Sequence, residues 1–263
     1  MTQLSGGSTF VRTELHGPVA ELVLDRPERH NALVPELLDD LRLAVAEVAG
    51  DESVRVLVIA AEGRSFSTGG DVAGFAEHNG EELVLYARRI VAALHDAILD
   101  LLTLHIPVVA AVQGPVTGGS LGLVLASDVV VAGPKASFAP WYVRVGFSPD
   151  GGWTALLPRR VGHGRAASWQ LLNRTVDVEA AVGAGLVDAV DDNPRARALE
   201  LGQEIASMQP GAVARTRRLL RPDLDEVRTG LDAELESFVE QIQTPEARAG
   251  MAAFLGASRR ESR

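Results

Sequence analysis

Cysteine is absent from this chain of 263 residues. Its absence excludes disulfide bonds, thiolate metal ligands and cysteine nucleophiles together, and it fits the reducing cytoplasm, where we expect the protein to function. Long apolar runs are missing as well. No stretch comes near the roughly 18 apolar residues that a membrane-spanning helix needs, so we expect no membrane partner.

Basic residues are outnumbered by acidic ones. Lys and Arg total 25, Asp and Glu total 35, and the formal net charge is −10. Such a balance argues against broad binding to nucleic acids, which a basic surface favours. The motifs of phosphate-binding loops, serine nucleophile elbows and helical zinc sites are also missing, so we expect no metal centre.

The hydrophobic pattern predicts an α/β fold. Three continuous apolar runs are typical of strands buried on both faces of a parallel sheet, at residues 54–60, 108–112 and 128–132. A hairpin at residues 10–24 precedes them, and helical periodicity occurs at residues 35–49 and 81–104. From residue 151 onward the pattern is mainly helical. We therefore predict a flexible leader (1–8), an α/β core (9–200) and a C-terminal helical region (201–263).

Two glycine-rich loops, residues 63–71 and 113–120, each follow a buried strand. The second loop leads directly into a short helix, so Gly118 and Gly119 lie where the free N–H groups of that helix begin. A pair of such N–H groups can hold a carbonyl oxygen that becomes negative during a reaction. The alternative interpretation is that both loops are only tight turns between strands and helices.

Six short motifs follow one another along the chain. They are Asp25-Arg26-Pro27 with Asn31-Ala32-Leu33, Phe66-Ser67-Thr68-Gly69-Gly70-Asp71, residues 107–114, Gly118-Gly119-Ser120-Leu121-Gly122 with Ala126-Ser127-Asp128, Pro149-Asp150-Gly151-Gly152, and Gly185-Leu186-Val187-Asp188. In these motifs the chain resembles the crotonase superfamily, the enoyl-CoA hydratase/isomerase family.

The resemblance implies a crotonase core of repeated ββα units, with C-terminal helices that pack between subunits of a homotrimer or a dimer of trimers. It implies acyl-CoA thioester substrates, with coenzyme A as part of the substrate and no separate cofactor. The backbone N–H groups of Gly70 and Gly119 are then expected to hold the thioester oxygen.

Further binding residues follow from the resemblance alone. The adenine end of coenzyme A is expected near Ala32, Asp71, Val72 and Ala73, and Phe238 is expected to cover the adenine. Simple packing on the apolar face of a helix is the alternative for Phe238. The family's C-terminal lysine falls at Ala257, so Arg259 or Arg260 would have to replace it at the CoA phosphates.

The chemistry is where the sequence departs from the hydratases of this family. Their two catalytic glutamates correspond to Gly122 and Tyr142 here, and neither residue can act as a carboxylate base. One acidic residue remains nearby, Asp150, whose apolar and glycine neighbours favour a raised pKa. Its alternative role is to cap a helix starting at Gly151.

Two subgroups of the family carry Asp at the position that matches Asp150. In the isomerases of phenylacetate degradation it shuttles a proton, and in the 4-chlorobenzoyl-CoA dehalogenases it is a nucleophile. The dehalogenases' catalytic histidine corresponds to His95, which also fits an ordinary helix position.

The hypothesis from the sequence is isomerisation of an enoyl-CoA double bond, or a ring isomerisation, with Asp150 as the proton shuttle and Tyr142 at the substrate. Dehalogenation remains an alternative, as do decarboxylation with Tyr142 in the site and hydration despite the missing glutamates. A non-catalytic acyl-CoA binder is the alternative from another class. The negative charge argues against the RNA binding known in a few relatives.

Overall fold

The computed structural model describes residues 10–261, so the predicted leader 1–8 lies outside the described residues. The strands are β1 (Val11–His16), β2 (Val19–Leu24), β3 (Val56–Ala61), β4 (Val108–Val112), β5 (Pro115–Thr117), β6 (Val129–Ala132), β7 (Ser137–Ala139), β8 (Val176–Asp177) and β9 (Ala189–Val190). The helices are α1 (Pro35–Gly50), α2 (Val72–Ala76), α3 (Gly80–Thr103), α4 (Leu121–Leu125), α5 (Tyr142–Val145), α6 (Leu157–Val161), α7 (His163–Leu171), α8 (Val178–Ala184), α9 (Pro194–Ala206), α10 (Pro210–Leu220), α11 (Leu224–Ile242) and α12 (Pro245–Glu261). Short 3-10 helices occupy Pro27–Arg29 and Gly118–Ser120.

A six-stranded sheet forms the centre, in the order β1-β2-β3-β4-β6-β9. The hairpin β1–β2 is antiparallel, and every other neighbouring pair in this sheet is parallel. All residues of β2, β3 and β4 are buried, because helices cover both faces of these strands. On one face the core includes side chains of α1 and α3, and on the other it includes Ala198 and Ala206 of α9.

The second sheet is small and contains β5, β7 and β8. Strands β4 and β6 belong to the large sheet, whereas the strands that directly follow them, β5 and β7, pair in parallel in the small one. Each strand pair is followed by a short helix, α4 or α5, which gives two repeated ββα units. The sequence does not predict this small sheet, because strands of two or three residues carry too little periodicity.

The C-terminal helices fold back onto the core of the same chain. Helix α11 packs against α3, and α12 packs against α2 and α5. The predicted division between residues 200 and 201 falls inside α9, which continues to Ala206 because both Ala198 and Ala206 pack on the sheet. Within residues 10–261, no helix is long and apolar enough to cross a membrane.

Candidate active site

The two glycine-rich loops lie side by side. An isolated parallel bridge joins Ser67 to Val116, with hydrogen bonds from Thr117 N–H to Ser67 O (3.1 Å) and from Ser67 N–H to Pro115 O (3.3 Å). Buried Asn31 holds the first loop from below: its amide donates to Glu62 O (2.9 Å) and to Ser65 O (3.1 Å). The hydroxyl of Ser67 in turn donates to the Asn31 carbonyl (2.7 Å), so the asparagine of the first motif and the serine of the second are in direct contact.

The N–H group of Gly70 points away from its neighbouring strand. A parallel bridge pairs Leu33 with Gly70, but its hydrogen bonds run from Leu33 N–H to Gly69 O (2.7 Å) and from Asp71 N–H to Leu33 O (3.1 Å). Gly70 lies between the two residues that bond Leu33, and in a parallel bridge such a middle residue directs its own N–H away from the partner strand. The Gly70 N–H is therefore available to a substrate oxygen.

Gly119 is the second residue of the 3-10 helix Gly118–Ser120. A residue in the first turn of a helix has no acceptor for its N–H within that helix. Gly119 and Gly70 also line the same narrow cavity, which has a volume of about 10 Å³ and whose other lining residues are Leu33, Phe75, Ile90, Val91, Leu94 and Asp150. The predicted pair of N–H donors thus comes together at one cavity.

Asp150 is the only ionisable residue among those lining residues, and it is only 7% exposed. It reaches the cavity through a turn that glycine makes feasible. Gly151 has a φ of +63°, and a Cβ there would lie 2.4 Å from the carbonyl oxygen of Gly119. Residues 151–156 form turns before α6 begins at Leu157, so Asp150 does not cap a helix starting at Gly151, which was the alternative role from the sequence.

Tyr142 is buried beside Asp150. Its hydroxyl donates to the Asp150 carboxylate and contacts the Asp150 carbonyl oxygen at 3.0 Å. Burial raises the pKa of Asp150 to about 7, the Tyr142 hydrogen bond lowers it, and the negative charge of Glu234 raises it. Tyr142 itself has its pKa raised well above the usual value, mainly by burial, so it stays protonated and acts as a donor.

The segment after Asp150 is held by two buried side chains, one from each of two helices. His95 of α3 accepts a hydrogen bond from Gly151 N–H at its Nε2 (3.2 Å). Burial lowers the pKa of His95 to about 4, and an Nε2 that accepts a hydrogen bond carries no proton. Although Nε2 lies 3.8 Å from Glu234 Oε2, the pair is therefore a neutral imidazole beside a carboxyl group, not an ion pair.

Glu234 of α11 was not identified from the sequence. It is 3% exposed and accepts hydrogen bonds from the N–H groups of Gly152 (2.7 Å), Thr154 (2.7 Å) and Ala155 (3.0 Å). A signal was present, because Glu234 lies three residues after Leu231 and four before Phe238, on the buried face of the amphipathic helix. A carboxylate at such a position indicates a polar partner inside the fold.

Gly122, where hydratases have a glutamate, has no room for a side chain. A Cβ on Gly122 would lie 2.3 Å from Ile98 Cδ1 and 2.5 Å from the carbonyl oxygen of Gly151. The space of the missing glutamate is thus filled by an aliphatic side chain and by the turn that carries Asp150.

The residues expected near adenine lie together but are engaged in local contacts. The Asp71 side chain accepts from Ala73 N–H (3.2 Å), which caps α2, and it pairs with Arg29 (3.0 Å). The carbonyl of Ala32 accepts from Arg26 (3.0 Å), and Val72 lies in the first turn of α2. None of the four lines the cavity with Asp150, and a role at the adenine end stays a prediction.

Phe238, which the resemblance places over the adenine, is buried among other aromatic rings. It is 2% exposed, and its ring contacts those of Phe75 and Phe147, with centroids 5.7 Å and 5.3 Å away. A ring buried in this way has no free face for adenine, so the packing alternative describes it. The side chains of Arg259 and Arg260 lie outside the described residues.

Comparisons with known proteins show the family of the chain. The family profile described as enoyl-CoA hydratase/isomerase matches residues 14–261. A probable enoyl-CoA hydratase of Mycobacterium tuberculosis, EchA14, is 31% identical over 242 residues, which are 89% of this chain and 93% of the relative. The 4-chlorobenzoyl coenzyme A dehalogenase-2 of an Arthrobacter species is 31% identical over 205 residues, 77% of this chain and 74% of the relative. The crystal structure of an enoyl-CoA hydratase/isomerase from Mycobacterium paratuberculosis is similar with a TM-score of 0.86 at 28% identity, covering 93% of this chain and 98% of that one. The predicted fold is confirmed by this likeness.

Proposed function

Since the chain belongs to the enoyl-CoA hydratase/isomerase family, and is thus an acyl-CoA enzyme, we propose that it isomerises the double bond of an enoyl-CoA thioester with Asp150 as the proton shuttle. One observation carries this proposal. The cavity lined by Gly70 and Gly119 contains a single ionisable side chain, and that side chain is a carboxyl group whose pKa is raised to about 7. Such a group both takes and returns a proton near neutral pH.

The proposed reaction begins with the thioester oxygen between the N–H groups of Gly70 and Gly119. The Asp150 carboxylate removes a proton from the carbon α to the thioester of a 3-enoyl group, and the electron pair moves onto the oxygen as a dienolate. The two N–H groups stabilise that charge, each by roughly 3 kcal/mol. Protonated Asp150 exchanges its proton with water and then delivers a proton to the far end of the conjugated system, which leaves a 2-enoyl thioester and the carboxylate as it began.

Hydration is less well supported, because it usually needs two carboxyl groups and Gly122 leaves no space for the second.

Dehalogenation is less well supported because it needs a histidine base. His95 does not line the cavity, its Nε2 is occupied by Gly151 N–H, and its pKa is lowered. Decarboxylation with Tyr142 at the substrate is less well supported because the hydroxyl is directed to Asp150. The names of the relatives describe those relatives only.

The test is a panel of CoA thioesters in deuterated water, with 3-enoyl, 2-enoyl, arylacetyl, malonyl-type and halogenated aryl forms, and products identified by mass spectrometry. Isomerisation predicts a product with the elemental formula of the substrate, in which deuterium from the solvent replaces hydrogen. Gain of one water, loss of chloride or loss of carbon dioxide would each assign one of the other reactions. Thioester binding without any product would assign a non-catalytic binder.

We also propose that the protein is a homotrimer or a dimer of trimers in solution, because the resemblance to the family implies this oligomeric state. The strongly exposed Leu219 and Leu220 of α10 are candidate contacts. Sedimentation equilibrium of the full chain tests this: the mass of three or six chains is expected, and the mass of a single chain would contradict it.

A further inference from the structure

Three backbone N–H groups converge on one buried carboxyl group next to the site. The donors are Gly152, Thr154 and Ala155, at 2.7, 2.7 and 3.0 Å, and the Thr154 hydroxyl adds a fourth bond at 2.6 Å. The acceptor is Glu234, which comes from α11, 82 residues after Gly152. Neighbouring N–H groups that point to one side form a concavity suited to an anion, and here a side chain of α11 fills it.

The segment so held is the one that carries Asp150. Its first residue after Asp150, Gly151, is held by His95 of α3, and the next residues are held by Glu234. Gly151 itself is pressed against Gly119, since a Cβ on it would lie 2.6 Å from Gly119 Cα. A shift of the turn would therefore move the carboxyl group relative to the N–H group of Gly119.

We propose that Glu234 is a positioning residue, which fixes the turn after Asp150 from helix α11 and so places the Asp150 carboxyl group against the cavity. It acts through the N–H groups of Gly152, Thr154 and Ala155 and does not line the cavity. The proposal rests on the proposed role of Asp150 for its effect on turnover, but its effect on the turn itself does not depend on the reaction.

The charge of Glu234 has a second effect on the same group. The titratable groups that face Asp150 are Tyr142 of α5, Glu234 of α11 and, through Gly151, His95 of α3. Of these, Glu234 raises the pKa of Asp150 by its negative charge, whereas the Tyr142 hydrogen bond lowers it. Loss of the charge at residue 234 should thus make Asp150 a stronger acid.

The test compares Glu234→Gln with Glu236→Gln in the full chain. Glu236 lies on the same helix two residues away, is exposed and pairs with Arg88 (2.5 Å), so the chemical change is the same without the buried contacts. The Asp150 carboxyl is titrated by ¹³C NMR, with its signal assigned by its absence in Asp150→Asn. Turnover is measured as isomerisation of a 3-enoyl-CoA.

We expect Glu234→Gln to lower the Asp150 pKa by roughly half a unit or more and kcat at least tenfold, with KM changed far less. Glu236→Gln should change none of these. Glu234→Asp keeps the charge with a shorter reach, so it should keep most of the raised pKa while losing turnover. It also serves as the variant to measure if Glu234→Gln does not fold.

Unchanged Asp150 titration and unchanged kcat in Glu234→Gln, with only a lower Tm, would reduce Glu234 to a structural residue and overturn the proposal. The same holds if Glu234→Asp alone is measurable and turns over like the wild type. If the wild type does not isomerise any thioester but Glu234→Gln still shifts the Asp150 titration, the proposed reaction fails and the effect of the Glu234 charge on Asp150 stands. A ¹³C chemical shift of the Asp150 carboxyl in Glu234→Asp that equals the wild-type value would then overturn the positioning role.

Discussion

A Cβ atom on Gly119 would lie 2.6 Å from Oδ1 of Asp150. The Asp150 carboxyl group therefore lies against the α-carbon of Gly119, and only glycine at residue 119 leaves room for it. The same added carbon would lie 2.6 Å from Leu94 Cδ2, so neither neighbour leaves space for it.

Gly119→Ala should consequently displace Asp150 or Leu94 and narrow the cavity. We expect kcat/KM to fall at least a hundredfold and the free energy of unfolding to drop by about 1–3 kcal/mol through overpacking. Gly164→Ala is the matched control, because Gly164 lies in α7 with nothing within 4 Å of an added Cβ. Steady-state kinetics and denaturant unfolding check both, and a fully active Gly119→Ala would contradict the geometry.

Tyr142→Phe should change the pH dependence of turnover. The Tyr142 hydroxyl stabilises ionised Asp150, so its removal raises the pKa of Asp150 above its present value of about 7. We expect kcat/KM to fall at neutral pH and to recover at alkaline pH, with the midpoint of the profile displaced upward by roughly one unit. A profile that keeps the wild-type midpoint would show that the hydroxyl does not act on Asp150.

Gly122→Ala should destabilise the fold by about 1–3 kcal/mol, since the added carbon meets Ile98 and the Gly151 carbonyl. Gly183→Ala in α8 offers the comparison, because no atom lies within 4 Å of its Cβ. Gly122→Glu should unfold more easily still and should not gain hydratase activity. Measurable hydration by Gly122→Glu would mean that the site can rebuild itself around a second carboxylate.

His95 should make the fold sensitive to acid. Its pKa is about 4 in the folded chain against an ordinary value of 6.5, so the unfolded chain binds a proton there first. The stability that this group contributes is fully present above the unfolded value and is lost as the pH falls towards 4, by about 3 kcal/mol at most. Between pH 6.5 and pH 4, the free energy of unfolding of His95→Gln should fall less than that of the wild type. The same substitution at exposed His105 should leave the fall as large as in the wild type. Unfolding free energies measured across this pH range decide it.

The sequence predicted much of the fold because buried strands and long amphipathic helices have strong periodicity. Strand β4 has the predicted bounds, and α1 and α3 end within a residue of theirs. Asp150 could be singled out because it was an acidic residue among apolar and glycine neighbours. Its contacts with Tyr142 and Glu234 could not be predicted. Glu234 is 82 residues away from the turn in sequence. The position of Tyr142 depends on a left-handed backbone conformation at Trp141, just before α5, where φ is +62°.

The most direct test of the central claim is the exchange of thioester α-protons for solvent deuterium by Asp150→Asn. Asp192→Asn, the same change at an exposed aspartate, is the control. We expect the wild type and Asp192→Asn to exchange and isomerise a 3-enoyl-CoA, and Asp150→Asn to bind it with similar affinity while exchange falls by roughly 10²–10⁴-fold. Exchange at the wild-type rate in Asp150→Asn would show that another group moves the proton.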